Sequence, residues 1–384
     1  MTRLLEILIA MAIVAVLFVL VGIFLPSSRT IVEKVETNRQ RTIVFDTLNS
    51  MHRFDEWNPV VLHDPKVQLK ASGPESGVGA RMDYSSEVRS VGNGSWEIAE
   101  SDEGERVLYR LDGPQRGTNK TMEFQLKTTG RGGRNIEITQ RYRVDYGWDL
   151  LGRFAGLYVR GSVGEDMKLG MRRLGSMLAG VPNVDYRVEG STLRGLEVVQ
   201  KPAENLLTVF AGAVPRSNQD IKDSMRSNSE WIKRTMDANG LEASGPMRIV
   251  TTELGRETYT FDVVQPVRKK GSGAAEASEG EAGGNGESAE VADTAAAFGV
   301  DDGELTGLEL LGPVKYERTE AGEVVRARYT GFMPELANVR NAVRAWAMTR
   351  GHEPVGRSYD VYKNGVDPAF TANGEFDVYW NLKQ

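Results

Sequence analysis

The chain changes its pattern at Pro26. From Ile7 to Leu25 no polar or charged side chain interrupts nineteen residues, whereas beyond Pro26 apolar positions come singly or in short alternating runs. As a helix the first stretch reaches about 28 Å, close to the roughly 30 Å hydrocarbon core of a bilayer. The competing reading is a cleaved export signal, whose apolar region is shorter and ends at small residues. Here the run ends in Phe24-Leu25-Pro26, so residues 1–28 are expected to form an uncleaved, single-pass anchor that meets the membrane through residues 4–25. Basic residues flank both ends, Arg3 on one and Arg29, Lys34, Arg39 and Arg41 on the other, so charge does not decide the orientation; the five-residue head resembles that of a signal-anchor, whose remainder is expected to be exported.

Between Thr30 and Leu178 the stretches SWEIAES, TMEFQLKT and NIEITQRYRV alternate apolar with polar residues, and GRGGR supplies a turn between two of them. That is the period of antiparallel strands with one buried face. At the end, Val163, Met167, Met171, Leu174 and Leu178 recur at spacings of three and four, one apolar stripe along a helix. A curved sheet wrapped on one long helix is predicted for residues 29–182. Glu97, Glu123 and Glu137 fall on the polar phase and are assigned to the solvent face, and SGVGA reads as a turn.

After a linker at 183–195 the chain repeats itself. TVFAGAVP (208–215) matches ARYTGFMP (327–334), GLEASG (240–245) matches GHEPVG (351–356), and TFDVVQPV (260–267) matches EFDVYWNL (375–382), in the same order. Each copy reads strand, helix, turn, strand, hairpin, strand, and two copies can pair about a pseudo-twofold axis. Between them, residues 271–304 hold nine acids and no Lys or Arg among Gly, Ala and Ser, the composition of a disordered insertion. The fold class is therefore α+β: an N-terminal membrane helix, an antiparallel sheet with a long helix behind it, and a duplicated α+β unit over 196–384.

Composition narrows the chemistry. A net charge of -6, with Lys and Arg interspersed among acids, leaves no basic footprint for nucleic acid. No cysteine is present, and His52, His63 and His352 stand in no ligand spacing, so neither a metal site nor a cofactor is expected. No G-x-S-x-G elbow, phosphate-binding glycine loop or paired catalytic carboxylates stand out, and no catalytic residue is assigned.

Aligning the repeats puts Ile249 and Thr251 where Asp360 and Tyr362 stand in the second copy. One copy alone carries the acid. On a strand Asp360 and Tyr362 share a face, and the aromatics Phe210, Tyr329, Trp346 and Trp380 are candidates to complete a ligand cleft with them. In the first region Trp57, in FDEWNP, is a packing residue or the lip of a ligand mouth.

The layout of the first region, with FDEWNPV, SGPESGVGARMDY and VGEDMKLGMRRL, resembles the START-like superfamily of polyketide cyclases and lipid-transfer domains. Residues 196–384, above all GRSYDVYKNG and GEFDVYWNL, resemble GyrI-like effector-binding domains. The resemblances imply a protein that binds or senses hydrophobic small molecules or lipids; with the anchor, the expectation is a bacterial inner-membrane protein with its soluble part on the periplasmic side. In the GyrI-like family a Glu stands where this chain has Asp360, and it meets lipophilic cations. The alternative is an enzyme, either a hydrolase using Asp360 and Tyr362 or a cyclase in the START-like cavity, and a third reading is a structural membrane protein with vestigial pockets.

Overall fold

The computed structural model describes residues 2–187, 193–272, 298 and 301–383, which divide into two compact units, the first running to Asp185 and including Thr349–Gly351, the second comprising the rest from Tyr186 onward.

The first unit opens with helix α1 (Thr2–Phe24), strand β1 (Ser28–Thr37) and the short helices α2 (Arg41–Leu48), α3 (Phe54–Trp57) and α4 (Val60–His63). Six strands follow: β2 (Gln68–Ser72), β3 (Arg81–Ser85), β4 (Asn93–Asp102), β5 (Arg106–Asp112), β6 (Thr118–Thr129) and β7 (Asn135–Asp145). Helices α5 (Leu150–Ala155) and α6 (Val159–Ala179) close the unit. The sheet is antiparallel in the order β1-β7-β6-β5-β4-β3-β2, with Ser28 opposite Asp145 and Thr37 opposite Ile136. Alternation sends Met122, Phe124 and Leu126 of β6 and Ile136, Ile138, Tyr142 and Val144 of β7 inward. Of the predicted helical stripe, Met167, Met171, Leu174 and Leu178 are buried on α6. Each such side chain contributes roughly 1.5–3 kcal/mol by leaving water. The outer face carries ion pairs from Glu97 to Arg81 (3.1 Å), Glu123 to Arg141 (3.2 Å) and Glu137 to Lys34 (2.9 Å). At the SGVGA turn the chain closes tightly: Gly73 has φ +78°, and a Cβ there would stand 2.2 Å from the Gly79 carbonyl oxygen. Helix α1 exposes apolar side chains along its length, including Leu8, Val14 and Phe24, unlike a core helix.

The second unit contains β8 (Leu193–Lys201), β9 (Glu204–Pro215), α7 (Asn218–Ala238), β10 (Leu241–Ala243), β11 (Arg248–Leu254) and β12 (Thr258–Lys269). Then come β13 (Lys315–Thr319), β14 (Gly322–Thr330), α8 (Leu336–Thr349), β15 (Pro354–Tyr362) and β16 (Glu375–Leu382). The sheet order is β13-β9-β12-β11-β15-β16-β14-β8, with β10 on β12. Strands β9, β12 and β11 are mirrored by β14, β16 and β15, and the halves join where Ile249 pairs with Asp360. Those two residues are counterparts in the repeat, so the pseudo-twofold axis passes through that pair.

Most of the acidic stretch 271–304 lies outside the described residues. Its described end is tied down: Asp301 pairs with Arg318, Asn205 Nδ2 donates to the Gly303 carbonyl at 2.8 Å, and Phe298 is buried.

Candidate functional site

The inward face of the first unit's sheet is not uniformly apolar. On β6 the buried positions run Lys120, Met122, Phe124, Leu126, and on β7 they run Ile136, Ile138, Gln140, Tyr142. A register shift between Thr118 and Thr121, with Asn119 at φ +50°, turns Lys120 inward. Lys120 Nζ donates to the Gly113 carbonyl at 2.8 Å, and burial pulls its ammonium pKa below the ordinary lysine value, with Asp112 opposing the shift.

These side chains face a cavity of about 110 Å³ bounded by α3, α4, β3 to β7 and α6. Its apolar wall is Trp57, Trp96, Met122 and Met167. Trp57, only 1% exposed, meets Phe54, Trp96 and Phe124 edge to face at centroid distances of 5.7, 6.0 and 5.7 Å. Helix α6 comes close through Gly170, where a Cβ would stand 3.3 Å from the Pro59 ring. Three buried polar atoms of the lining, Trp57 Nε1, Asn58 Nδ2 and Gln140 Oε1, have no hydrogen-bond partner in the protein. A buried donor or acceptor left unmade costs about 1–3 kcal/mol, so residues around the cavity hold two donors and an acceptor that the fold leaves unsatisfied, all three closed off from the cavity space in this conformation. At the rim His63 Nε2 lies 2.8 Å from Asp166 Oδ1. Burial raises the pKa of the lining phenols Tyr84 and Tyr142, which stay protonated.

Trp57 is thus both packing and lining. Lys120 and Gln140 escaped the sequence reading, although their signal was present: each is a polar residue on the apolar phase of an alternating strand.

The second unit places Asp360 and Tyr362 on one face, as a strand requires, and both are fully or nearly fully buried beneath α8. Arg340 of α8 spans the Asp360 carboxylate, with Nε 3.1 Å from Oδ1 and Nη2 on Oδ2. The cation expected from outside is supplied by the chain. Burial raises the Asp360 pKa and Arg340 opposes it. Trp380 Nε1 donates to the Arg340 carbonyl at 3.2 Å. Tyr362 meets Phe376 edge to face, and Tyr329 stacks on the same ring. Trp346 is half-buried against the core, while Phe210 is 57% exposed and stands apart. The expected ring of aromatics around Asp360 is therefore only partly assembled.

The opposite face of this sheet sets buried charges beside a small apolar cluster of Phe298, Val324, Tyr359, Val361 and Tyr379. Arg248 forks onto Glu204 at 2.7 and 2.5 Å and lies over the ring of Tyr359, which stacks on Tyr379 at 5.0 Å. A cavity of about 550 Å³ opens there, lined by Lys201, Glu204, Arg248, Asp262, Arg357 and Tyr359 among others.

No curated protein matches this sequence. Similar solved structures include truncated norcoclaurine synthase from Thalictrum flavum, 12% identical at a TM-score of 0.32, covering 40% of this chain and 94% of that one. The EcmrR C-terminal domain is 11% identical at a TM-score of 0.34, covering 50% and 98%. Protein Ms6760 from Mycobacterium smegmatis is 14% identical at 0.29, covering 39% and 90%. Residues 28–178, the sheet and long helix that enclose the first cavity, match the family described as polyketide cyclase / dehydrase and lipid transport.

Proposed function

We propose that the chain is a membrane-anchored binder of a small apolar molecule carrying a carbonyl or carboxylate oxygen, held in the cavity of the first unit. The observation that carries this reading is the set of unpartnered atoms, Trp57 Nε1, Asn58 Nδ2 and Gln140 Oε1, on residues that line a cavity of mixed apolar and polar wall, where a small side-chain shift would bring them to a ligand. The donors of Trp57, Asn58 and Lys120 favour an acceptor oxygen, while the carboxylates Asp112 and Asp166 also line the cavity, Asp166 lying 2.8 Å from His63. Size sets a further limit: an apolar cavity of about 150 Å³ holds benzene, so about 110 Å³ accepts a ring or a chain end. A whole lipid would have to displace α3 and α4. The match to a lipid-transport and cyclase family agrees with small-molecule or lipid binding.

Saturation-transfer NMR with phenylacetate, phenylacetamide and phenethylamine tests the reading on the full chain in detergent. Transfer should fall in that order and drop for Asn58→Asp, which removes the Nδ2 donor and keeps the acceptor for Val60 N, and for Lys120→Met. Equal transfer to all three, or indifference to both substitutions, refutes it.

The lowered pKa of Lys120 favours one second reading, a cyclase-type enzyme in which this amine acts as a base. Its test is turnover of a reactive carbonyl substrate that Lys120→Met abolishes while Gln140→Leu only raises KM.

For the second unit, the duplication about Ile249 and Asp360 supports a GyrI-like effector-binding domain. A lipophilic cation would compete there with Arg340, so we assign Asp360 to the fold; cation binding lost in Asp360→Asn with folding intact would reverse that assignment. Anchoring in a bacterial inner membrane with a periplasmic soluble part takes α1 as its span. Phosphatase activity from a reporter fused after Gln384 tests the side, and cytoplasmic fluorescence from the same fusion site contradicts it.

A further inference from the structure

The C-terminal end of α1 is bound to the first unit in an unusual way. Phe154 of α5 stacks on Phe18 at a centroid distance of 4.2 Å, and a Cβ on Gly22 would lie 3.2 Å from Phe154 and 3.3 Å from Leu150. Arg153, 7% exposed, donates through Nη1 to the carbonyls of Gly22 (3.2 Å), Ile23 (2.8 Å) and Leu25 (3.3 Å). Its Nε and Nη2 both donate to the Gly147 carbonyl, at 2.9 and 2.6 Å. A guanidinium on the last carbonyls of a helix satisfies groups that have no partner within the helix and complements its dipole.

The outward side of this segment is apolar and open. Trp148 is 80% exposed, Leu151 54%, Leu157 50% and Tyr158 77%, beside Phe24 at 86%. Its depth follows from α1. Gly22 and Phe18 lie three and seven residues before the end of the apolar run at Leu25, roughly 5–10 Å along the helix axis. Whatever packs on those residues shares their depth, and roughly 5–10 Å is the immersion of an interfacial amphipathic segment. Trp and Tyr are the residues that favour this layer.

The segment also supports the cavity. Asp149 caps α5, accepting from Gly152 N at 3.0 Å, and pairs at 3.2 Å with Arg116 of the turn between β5 and β6. That turn carries Gln115 of the cavity lining and the Gly113 carbonyl that accepts from Lys120.

We propose that residues 148–158 lie in the interfacial layer of the bilayer, with Trp148, Leu151, Leu157 and Tyr158 turned to lipid, so that the cavity wall formed by the β5–β6 turn stands at the membrane surface. The occupant of this face is lipid, because it continues the apolar surface of α1 at the depth α1 sets. The proposal rests on α1 spanning the membrane, and the test separates the two.

The chain has no cysteine, so nitroxide labels on Leu151→Cys, Leu157→Cys, Val14→Cys and Arg131→Cys each report one site. Arg131 lies in the turn between β6 and β7, at the far end of the sheet from Asp145. The full chain is reconstituted in vesicles of phosphatidylethanolamine and phosphatidylglycerol, and oxygen accessibility is compared with that of a water-soluble nickel chelate. At Leu151 and Leu157 the oxygen-to-nickel ratio should be several-fold above that at Arg131 and below that at Val14. Ratios equal to that at Arg131, with Val14 in hydrocarbon, overturn the docking surface alone. Shielding of Leu151 and Leu157 from both reagents means protein contact and overturns it too. A water-like ratio at Val14 overturns the anchor and the docking surface together.

Discussion

Replacing Arg340 by Met leaves the Asp360 carboxylate in the core without its counter-charge. Asp360 is 0% and Arg340 7% exposed, and both carboxylate oxygens face the guanidinium. Removing one member of such a buried pair costs roughly 3–5 kcal/mol, most of it the uncompensated charge. Ile249, directly across the ladder from Asp360, offers no replacement donor from its side chain. At about 1.4 kcal/mol per tenfold, amide exchange through opening of β15 and β16 should accelerate roughly a hundredfold to several thousandfold. Hydrogen exchange read by mass spectrometry on peptides spanning these strands follows this locally, without assuming that the two units unfold together. Asp360→Leu combined with Arg340→Met removes both charges and should recover most of the protection. A change under tenfold in Arg340→Met, or a double variant less protected than either single one, would refute the assignment of Asp360 to the fold.

Lys120 carries a pH dependence. Its pKa is lower folded than unfolded, so below the folded value the buried charge costs stability, and that cost disappears as pH rises toward the ordinary lysine value. The melting temperature of wild type relative to Lys120→Met should rise between neutral pH and about pH 10; a flat or falling difference contradicts the burial. Gly73→Ala meets the Gly79 carbonyl and a left-handed backbone together, and should cost more than about 1 kcal/mol in denaturant unfolding of the first unit. Trp57→Ala empties the centre of the aromatic cluster and should cost about 3–5 kcal/mol in the same assay. A loss below about 1 kcal/mol would mean that the cluster is not part of the core.

Periodicity made much of this legible. The stripe on α6, the inward apolar phase of β6 and β7 and the duplicated halves were all written in spacings of three and four, of two, and of matched segments. What escaped is where a polar residue takes an apolar position. Lys120 and Gln140 sit in phase with Met122 and Tyr142, yet a single strand does not reveal which phase encloses a cavity. Arg340 sits among Leu336, Val339 and Val343 on the buried side of α8, a charge in a stripe that asks for a buried acid. That acid is Asp360, marked in the sequence by its absence from the first copy, whereas its partner Arg340 lies 20 residues away on another element. Phe210 and Tyr329 match in the repeat and differ in exposure, because Phe210 falls between Val209 and Ala211 of the core and so faces the other side of the sheet, past a register shift between Thr260 and Asp262, whereas Tyr329 lies in that core. The charged face around Arg248 and Glu204 depends on partners 44 residues apart, beyond any local pattern.

The central claim is that the first unit's cavity is occupied in use. The direct measurement is mass spectrometry of small molecules released from the full chain after purification from its own membrane, for wild type beside Met122→Trp, which fills the cavity from β6. The account predicts an apolar, oxygen-bearing molecule in stoichiometric amount from wild type and none from the filled variant. Nothing released from wild type, or the same molecule in the same amount from both, would contradict it.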